Sequence, residues 1–172
     1  SGLLLSSRHG SSPGSATAAI LEGTRPLLVE IQALVTPAAH GAPARKPSGI
    51  DAGRLSMLAA VLEKRLGIPL GDCDIHANVV GGVKLKGTAA DLALAAAILS
   101  SFHDRSLPKD VIFAGEVGLL GEVRPVPGTR QRLEEASRLG FHSACVAPGS
   151  IDGSGPEGMR IHETAELQTL AA

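Results

Sequence analysis

From Ala89 to Phe102 the chain reads Ala-Ala-Asp-Leu-Ala-Leu-Ala-Ala-Ala-Ile-Leu-Ser-Ser-Phe, and Asp91 is the only charged residue in the run. A helix that is apolar around its circumference has no face to give to solvent, so other elements must enclose it. The run is also too short and too alanine-rich to span a bilayer. The fold must therefore cover a central helix on every side. A chain of 172 residues can build that cover as one domain. With three Phe and neither Trp nor Tyr, the packing falls to Leu, Val, Ile and Ala. Thr88 precedes the run and Asp91 lies three residues on. This Thr-x-x-Asp variant of the capping box predicts Thr88 as the N-cap, with the Asp91 carboxylate near the positive helix end.

Around this helix the pattern predicts mixed strands and helices. Pro26–Val35 is Val/Ile-rich and alternates as a strand does. Thr36–Gly49 holds three Pro and two Gly and reads as a long surface loop. Asp51 is placed to cap a helix running to about Leu66; Leu55, Leu58, Leu62 and Leu66 share one face and Gly67 ends it. Strands are expected at Asp74–Val80, at Val111–Ala114, through the stretch to Val126, and at Ala144–Ala147. Thr129–Leu139 reads as an amphipathic helix, Gly149–Gly158 as a loop and Ala165–Leu170 as a closing helical turn. Residues 1–22, Ser/Gly-rich over Ser1–Gly14, are taken as an N-terminal connecting segment before a domain spanning 23–172. Ser100 and Ser101 are read as surface or end-capping groups.

Net charge is −1, so the chain shows no global attraction for a polyanion. Its distribution is uneven. Arg45 to Lys86 carries seven Lys/Arg against four Asp/Glu, whereas Ser150 to Ala172 carries four acids and one Arg. Such segregation allows a local basic face on a near-neutral protein. Cys73, at a strand edge, and Cys145, in the core, are read as free thiols of a reducing compartment. No Cys-x-x-Cys, His-x-x-x-His or similar spacing predicts a metal site. Without a signal-peptide pattern or a membrane span, the expectation is a soluble, cytoplasmic domain with no membrane partner.

Gly81-Gly82-Val83-Lys84-Leu85-Lys86-Gly87 is glycine-rich but lacks the Gly-x-x-x-x-Gly-Lys-Ser/Thr order of a phosphate loop. Lys84 and Lys86 are two apart, so on an extended segment they point to the same side. Further on, Gly115-Glu116-Val117-Gly118-Leu119-Leu120-Gly121-Glu122-Val123-Arg124-Pro125-Val126-Pro127-Gly128 resembles the strand pair of the Lon protease proteolytic domain, Gly-Glu-x-x-Leu-x-Gly-x-Val-x-Pro-x-x-Gly. In that family the nucleophilic Ser lies in Gly-Pro-Ser-Ala-Gly; Gly87-Thr88-Ala89-Ala90-Asp91 is the matching stretch, with Ala89 where the Ser would be. The Lys of the dyad lies two residues after the last Gly of the second motif, at the position of Arg130. The resemblance implies the α+β fold of the Lon proteolytic domain, shared with ribosomal protein S5 domain 2-like proteins.

Longer stretches narrow the resemblance. They are Gly23 through Val35, Gly49-Ile50-Asp51 with Arg54-Leu55, Ala60-Val61-Leu62-Glu63-Lys64-Arg65, Asn78 through Lys84, and Ala89-Ala90-Asp91-Leu92-Ala93. Together they are similar to the C-terminal Lon-like domain of the bacterial RadA (Sms) family of DNA repair and recombination ATPases, over roughly Gly23–Pro148. That family orders a four-cysteine zinc finger, a RecA-like ATPase core with Lys-Asn-Arg-Phe-Gly, and then this domain. The first two are absent from this sequence. The resemblance therefore implies no cofactor in this domain, with ATP, Mg and Zn expected only in the missing part. It implies as partners DNA without sequence preference, copies of itself in a ring of six, the ATPase core in cis, and the RecA recombinase.

The residues bear on each activity separately. Ala89 offers no lone pair to attack a carbonyl. Arg130 cannot act as general base because its guanidinium stays protonated. A substitute pair of Thr88 with Lys84 or Lys86 competes with the simpler reading of Thr88 as a cap. Arg54, Lys84 and Arg124 lie on elements that border the groove in the Lon fold, with Lys86, Arg130, Arg132, Arg45 and Lys46 as further candidate DNA contacts. With no Trp or Tyr to stack bases, contact with the DNA backbone is the expected mode. The alternatives are a purely structural oligomerisation domain and, more remotely, an active Lon-like peptidase.

Overall fold

The strand-forming stretches join in one eight-stranded sheet, and two short segments form a separate hairpin. The computed structural model describes residues 3–4, 12–39 and 41–170. In chain order the strands are β1 (Leu3–Leu4), β2 (Ser15–Glu22), β3 (Arg25–Pro37), β4 (Arg45–Ser48), β5 (Cys73–Val79), β6 (Val111–Ala114), β7 (Glu116–Val117), β8 (Val123–Arg124), β9 (Ser143–Val146) and β10 (Arg160–Glu163). The helices are α1 (Ala52–Leu66), α2 (Asp91–His103), α3 (Thr129–Arg138) and α4 (Leu167–Leu170), with a 3-10 turn at Leu70–Asp72. The sheet runs β10-β9-β6-β2-β3-β5-β4, with β1 beside β3, while β7 and β8 form the hairpin. Pairing is antiparallel for β2–β3 and β3–β5, and parallel for β2–β6, β6–β9, β9–β10, β4–β5 and β1–β3. This is a mixed α/β architecture. No helix among the described residues is long and apolar enough to cross a membrane.

Both faces of the sheet are packed, and the period-2 alternation of its strands assigns residues to each. Ala16, Ala18, Val29, Ile31 and Ala33 join Leu55, Leu58 and Leu62 of α1 and Leu92 to Leu99 of α2 in one core. Ala19, Leu28 and Ile112 face Leu133 and Ala136 of α3 in a second core on the other side. Every residue of α2 from Asp91 to Ser100 is buried, as the apolar run requires. Its alanines and those of β2 lack the bulk to hold helix and sheet apart. Helix α1 has the limits its sequence predicts. Asp51 Oδ2 accepts from Arg54 N at 2.9 Å, and Gly67 closes the helix in the left-handed conformation.

Several expectations are corrected. Of the segment taken as a connector, residues 1–2 and 5–11 lie outside the described residues, but Ser15–Glu22 is a central strand between β3 and β6. Its pairing from both sides outweighs the weak strand preference of its alanines. The supposed surface loop 36–49 contains β4, an edge strand whose Pro47 is tolerated there. β10 closes the opposite edge, where no strand is expected from the residue pattern.

Thr88 is not the cap of α2. That helix begins at Asp91, its N-cap residue is Ala90, and no side chain caps it. Backbone groups replace the cap: Asp91 N donates to Thr88 O at 3.1 Å and Leu92 N to Gly115 O at 3.1 Å. Nor is Ser100 a surface group. It is 4% exposed; its Oγ accepts from Gly14 N at 2.9 Å and donates to Arg105 O at 2.6 Å. Ser101 Oγ accepts from Val35 N at 2.9 Å. Both hydroxyls tie the end of α2 to the sheet.

Candidate nucleic-acid interface

The turn before α2 is stitched to the entry of the β7–β8 hairpin. Gly115 N donates to Ala89 O at 3.1 Å, and Gly115 O accepts from Leu92 N. Ala89 is half-buried here and presents only a methyl group. Asp91 follows, 5% exposed in an otherwise apolar setting. Its partner comes from α1. Arg54 Nε donates to Asp91 Oδ1 at 3.2 Å, and Nη2 pairs with Oδ2. Val117 N also donates to Oδ2, at 3.1 Å, while Arg54 Nη2 reaches Val117 O at 3.4 Å. One ion pair thus joins the starts of α1 and α2 to the hairpin. Burial raises the Asp91 carboxyl above its usual pKa, against the lowering effect of the Arg54 and Val117 hydrogen bonds.

The remaining cations divide into two kinds. Leu85 N donates to Gly49 O at 2.8 Å, which brings the lysine loop beside the start of α1. Val83 and Leu85 turn inward against the core while Lys84 and Lys86 are exposed, so the two lysines share the outer side as their spacing predicts. Across the hairpin, Glu116 is paired with Arg124. Arg124 is 54% exposed and lies 3.7 Å from Glu116 and 3.6 Å from Glu122, loose contacts in reach of solvent. Arg54 and the lysine loop thus lie at the start of α1, and Arg124 lies on the hairpin that Arg54 reaches through Val117 O. Arg54 is spent largely on Asp91; Lys84, Lys86 and Arg124 present charge outward.

Arg132, expected as a DNA contact, is withdrawn from any interface. It is 4% exposed; Nη1 donates to Ala19 O at 2.7 Å and Nε to Pro127 O at 2.9 Å. A guanidinium satisfying buried backbone carbonyls cannot reach a phosphate without exposing them. Arg45 is half-buried and similarly engaged, donating to Cys73 O at 2.6 Å and Leu70 O at 2.9 Å. Arg130 is exposed, and its Nη2 donates to Asp152 O at 2.7 Å and Ser154 O at 3.2 Å. Helix α3, which carries Arg130 and Arg132, packs in the second core, and Ala89 of the turn before α2 packs against that same core. Lys46 is exposed on edge strand β4.

The basic stretch of the sequence supplies β4 and β5 at one edge of the sheet, and the acidic C-terminal stretch supplies β10 at the other. The acidic C-terminal stretch does not stay apart: Glu166 pairs with Glu122 of the hairpin, and Val123 N donates to Ala165 O at 2.9 Å. The residue the sequence reading missed is Asp91 as an ion-pair acceptor. One signal was available: a lone carboxylate inside an apolar helix needs a buried cation.

A family model described as subunit ChlI of Mg-chelatase matches residues 56–150. Among the described residues, no three His, Cys, Asp or Glu come together. The chain is 46% identical over 168 residues to a Pseudomonas aeruginosa protein named DNA repair protein RadA, covering 98% of this chain and 37% of that protein. It is 46% identical over 167 residues to the Escherichia coli protein of the same name, covering 97% and 36%. The Bacillus subtilis protein of that name is 46% identical over 166 residues, covering 96% and 36%. The chain thus spans a little over a third of the length of the curated relatives it matches.

Proposed function

We propose, because this chain belongs to the ChlI family and aligns along nearly its whole length with RadA proteins, that it is the non-proteolytic Lon-like domain of a DNA repair ATPase and holds DNA by its backbone. The observation that carries the reading is that Lys84, Lys86 and Arg124 stay exposed on the two segments flanking the Arg54–Asp91 pair, in a chain so similar to named DNA repair proteins. Phosphates need only accessible cations, and these three meet that need with no aromatic platform to read bases. Arg54 acts behind them. By binding Asp91 and Val117 O it sets the hairpin that carries Arg124 relative to the loop that carries Lys84. Lys46 and Arg130 are also accessible and make secondary contacts. Arg45 and Arg132 hold backbone.

In this reading the domain folds in the manner of the Lon proteolytic domain and assembles as a ring of six beneath the ATPase core. ATP, Mg and Zn belong to the remaining two-thirds of the longer protein, and RecA is a partner of the whole. Peptide hydrolysis is not among its activities. Ala89 has no nucleophilic atom, and the Arg130 guanidinium donates to the Asp152–Ser154 loop. Casein should therefore survive incubation with the parent chain and with Ala89→Ser alike. The alternative, an assembly domain without DNA contact, draws on the cations Arg45 and Arg132, which serve backbone carbonyls.

The two readings separate on DNA binding measured by fluorescence anisotropy across a salt series. On duplex DNA the parent should lose affinity with a slope of about 0.9 in log K per log salt for each phosphate contact. Lys84→Glu and Arg124→Glu should each weaken binding to all sequences alike and flatten that slope. A Lys84→Glu/Arg124→Glu chain that binds like the parent at low salt would leave the assembly reading in its place.

A further inference from the structure

Among the described residues Lys84 and Lys86 make no ion pair, whereas Arg124 stands between two carboxylates. Its Nη1 lies 3.7 Å from Glu116 Oε1 and its Nη2 3.6 Å from Glu122 Oε1. Glu116 is the register partner of Arg124 on the facing strand. Glu122 precedes Arg124 by two residues, and extended backbone puts both on one side of the hairpin.

The Glu122 carboxylate is folded back over the turn. Its Oε1 is shut off from solvent and accepts no hydrogen bond among the described residues. Gly118 opens the recess that this oxygen fills: a Cβ there would run into Glu122 Oε1 and stand 2.7 Å from Arg124 Nη2. The φ of Gly118 lies outside the left-handed range, so the backbone itself would accept alanine. What requires glycine at this position is the seated pair. A desolvated carboxylate oxygen without a hydrogen bond is costly, and the Arg124 guanidinium is the cation that offsets it. A phosphate that takes Arg124 therefore strips Glu116 and Glu122 of their counter-charge and comes to rest beside them.

We propose that Glu116 and Glu122 compete with DNA phosphate for Arg124, with the recess at Gly118 holding the competing carboxylate in place. The hairpin thus keeps its phosphate contact covered, and these three residues set how readily it is given up. The proposal rests on the reading of Arg124 as a DNA contact and deepens it. It also predicts the salt dependence. Carboxylates released by Arg124 take up cations from solution, which offsets counterions given off by the DNA, so this contact adds less than about 0.9 to the slope.

The test is fluorescence anisotropy with a short DNA duplex across a salt series, with circular dichroism to verify the fold. The chains are the parent, Glu116→Gln/Glu122→Gln and Gly118→Ala, each with and without Arg124→Ala. The glutamine variant should bind about fivefold more tightly at low salt, the range of two solvent-reaching ion pairs, and with a steeper slope. Gly118→Ala expels the Glu122 carboxylate without altering net charge and should tighten binding about twofold. Without Arg124, Gly118→Ala should have no effect and the glutamines only the small gain of removed charge. Equal affinities of the parent and both variants overturn the competition, and so do gains of the same size without Arg124. A gain from the glutamines with none from Gly118→Ala assigns the effect to net charge and also overturns it. Should Gly118→Ala fail to fold, the glutamine variant with and without Arg124 decides alone. A parent that binds DNA while neither variant gains sinks this proposal and leaves the DNA reading standing. A parent and a glutamine variant that both fail to bind at low salt sink the two together.

Discussion

Arg54 and Asp91, 37 residues apart in sequence, are joined through the guanidinium Nε, which donates to Asp91 Oδ1 at 3.2 Å. The carboxylate is buried at the first turn of a helix with no other charge before His103, and Arg54 is itself only 26% exposed. The pair therefore replaces solvent for both groups. It also holds Val117, so the hairpin is fixed by the same contact.

Removing either partner leaves an uncompensated charge. Arg54→Ala or Asp91→Ala should lower stability by about 3 kcal/mol, the low end of the range for a broken buried pair because Arg54 keeps some solvent. An apolar replacement of both, Arg54→Met/Asp91→Leu, should recover much of that loss. Urea denaturation of the two singles and the double checks it. Singles that melt like the parent would mean that the pair is solvated in solution.

The ends of α2 respond differently to loss of a hydroxyl. Thr88 makes no side-chain cap, so Thr88→Val should leave stability within about 0.5 kcal/mol of the parent. Ser100 serves the buried Gly14 N–H, so Ser100→Ala should lose about 1–3 kcal/mol, the cost of orphaning it. Equal denaturation midpoints for the two variants would refute this contrast.

Burial pushes the Cys145 thiol up to about 11 from an ordinary 9.0. The folded state thus holds its proton more tightly than the unfolded chain does. The stability this provides is complete below pH 9.0 and is lost as pH rises towards 11. In a Cys73→Ser chain, a thiol reagent at pH 8 should label Cys145 slowly when folded and at the rate of a free thiol in urea. Midpoints measured on either side of that window should fall more for this chain than for Cys73→Ser/Cys145→Ser. Rapid labelling of the folded chain at pH 8 would contradict the burial of this thiol.

Much of the fold was legible where the chemistry is local. Asp51 and Gly67 mark the ends of α1 because a carboxylate beside free N–H groups and a residue tolerant of positive φ act within one turn. Lys84 and Lys86 share a side because extended backbone repeats every two residues. The burial of α2 was likewise readable, since an apolar circumference permits nothing else.

Tertiary structure decided what depends on distant partners. Ser15–Glu22 is a strand because β3 and β6 supply its hydrogen bonds, and its alanines signal little by themselves. Thr88 has the right type and spacing for a cap, yet Gly115 comes from another element and takes the orphan N–H of Leu92. Arg130, Arg132, Lys84 and Arg124 carry the same charge in the sequence. Only packing sends Arg132 to the Ala19 carbonyl and leaves Lys84 in solvent. Residue type and spacing determined the limits of α1, the burial of α2 and which groups can carry charge. Where each charge ends, buried against a carbonyl, paired or facing water, is a property of contacts between residues far apart in the chain, and only the assembled sheet and helices supply them.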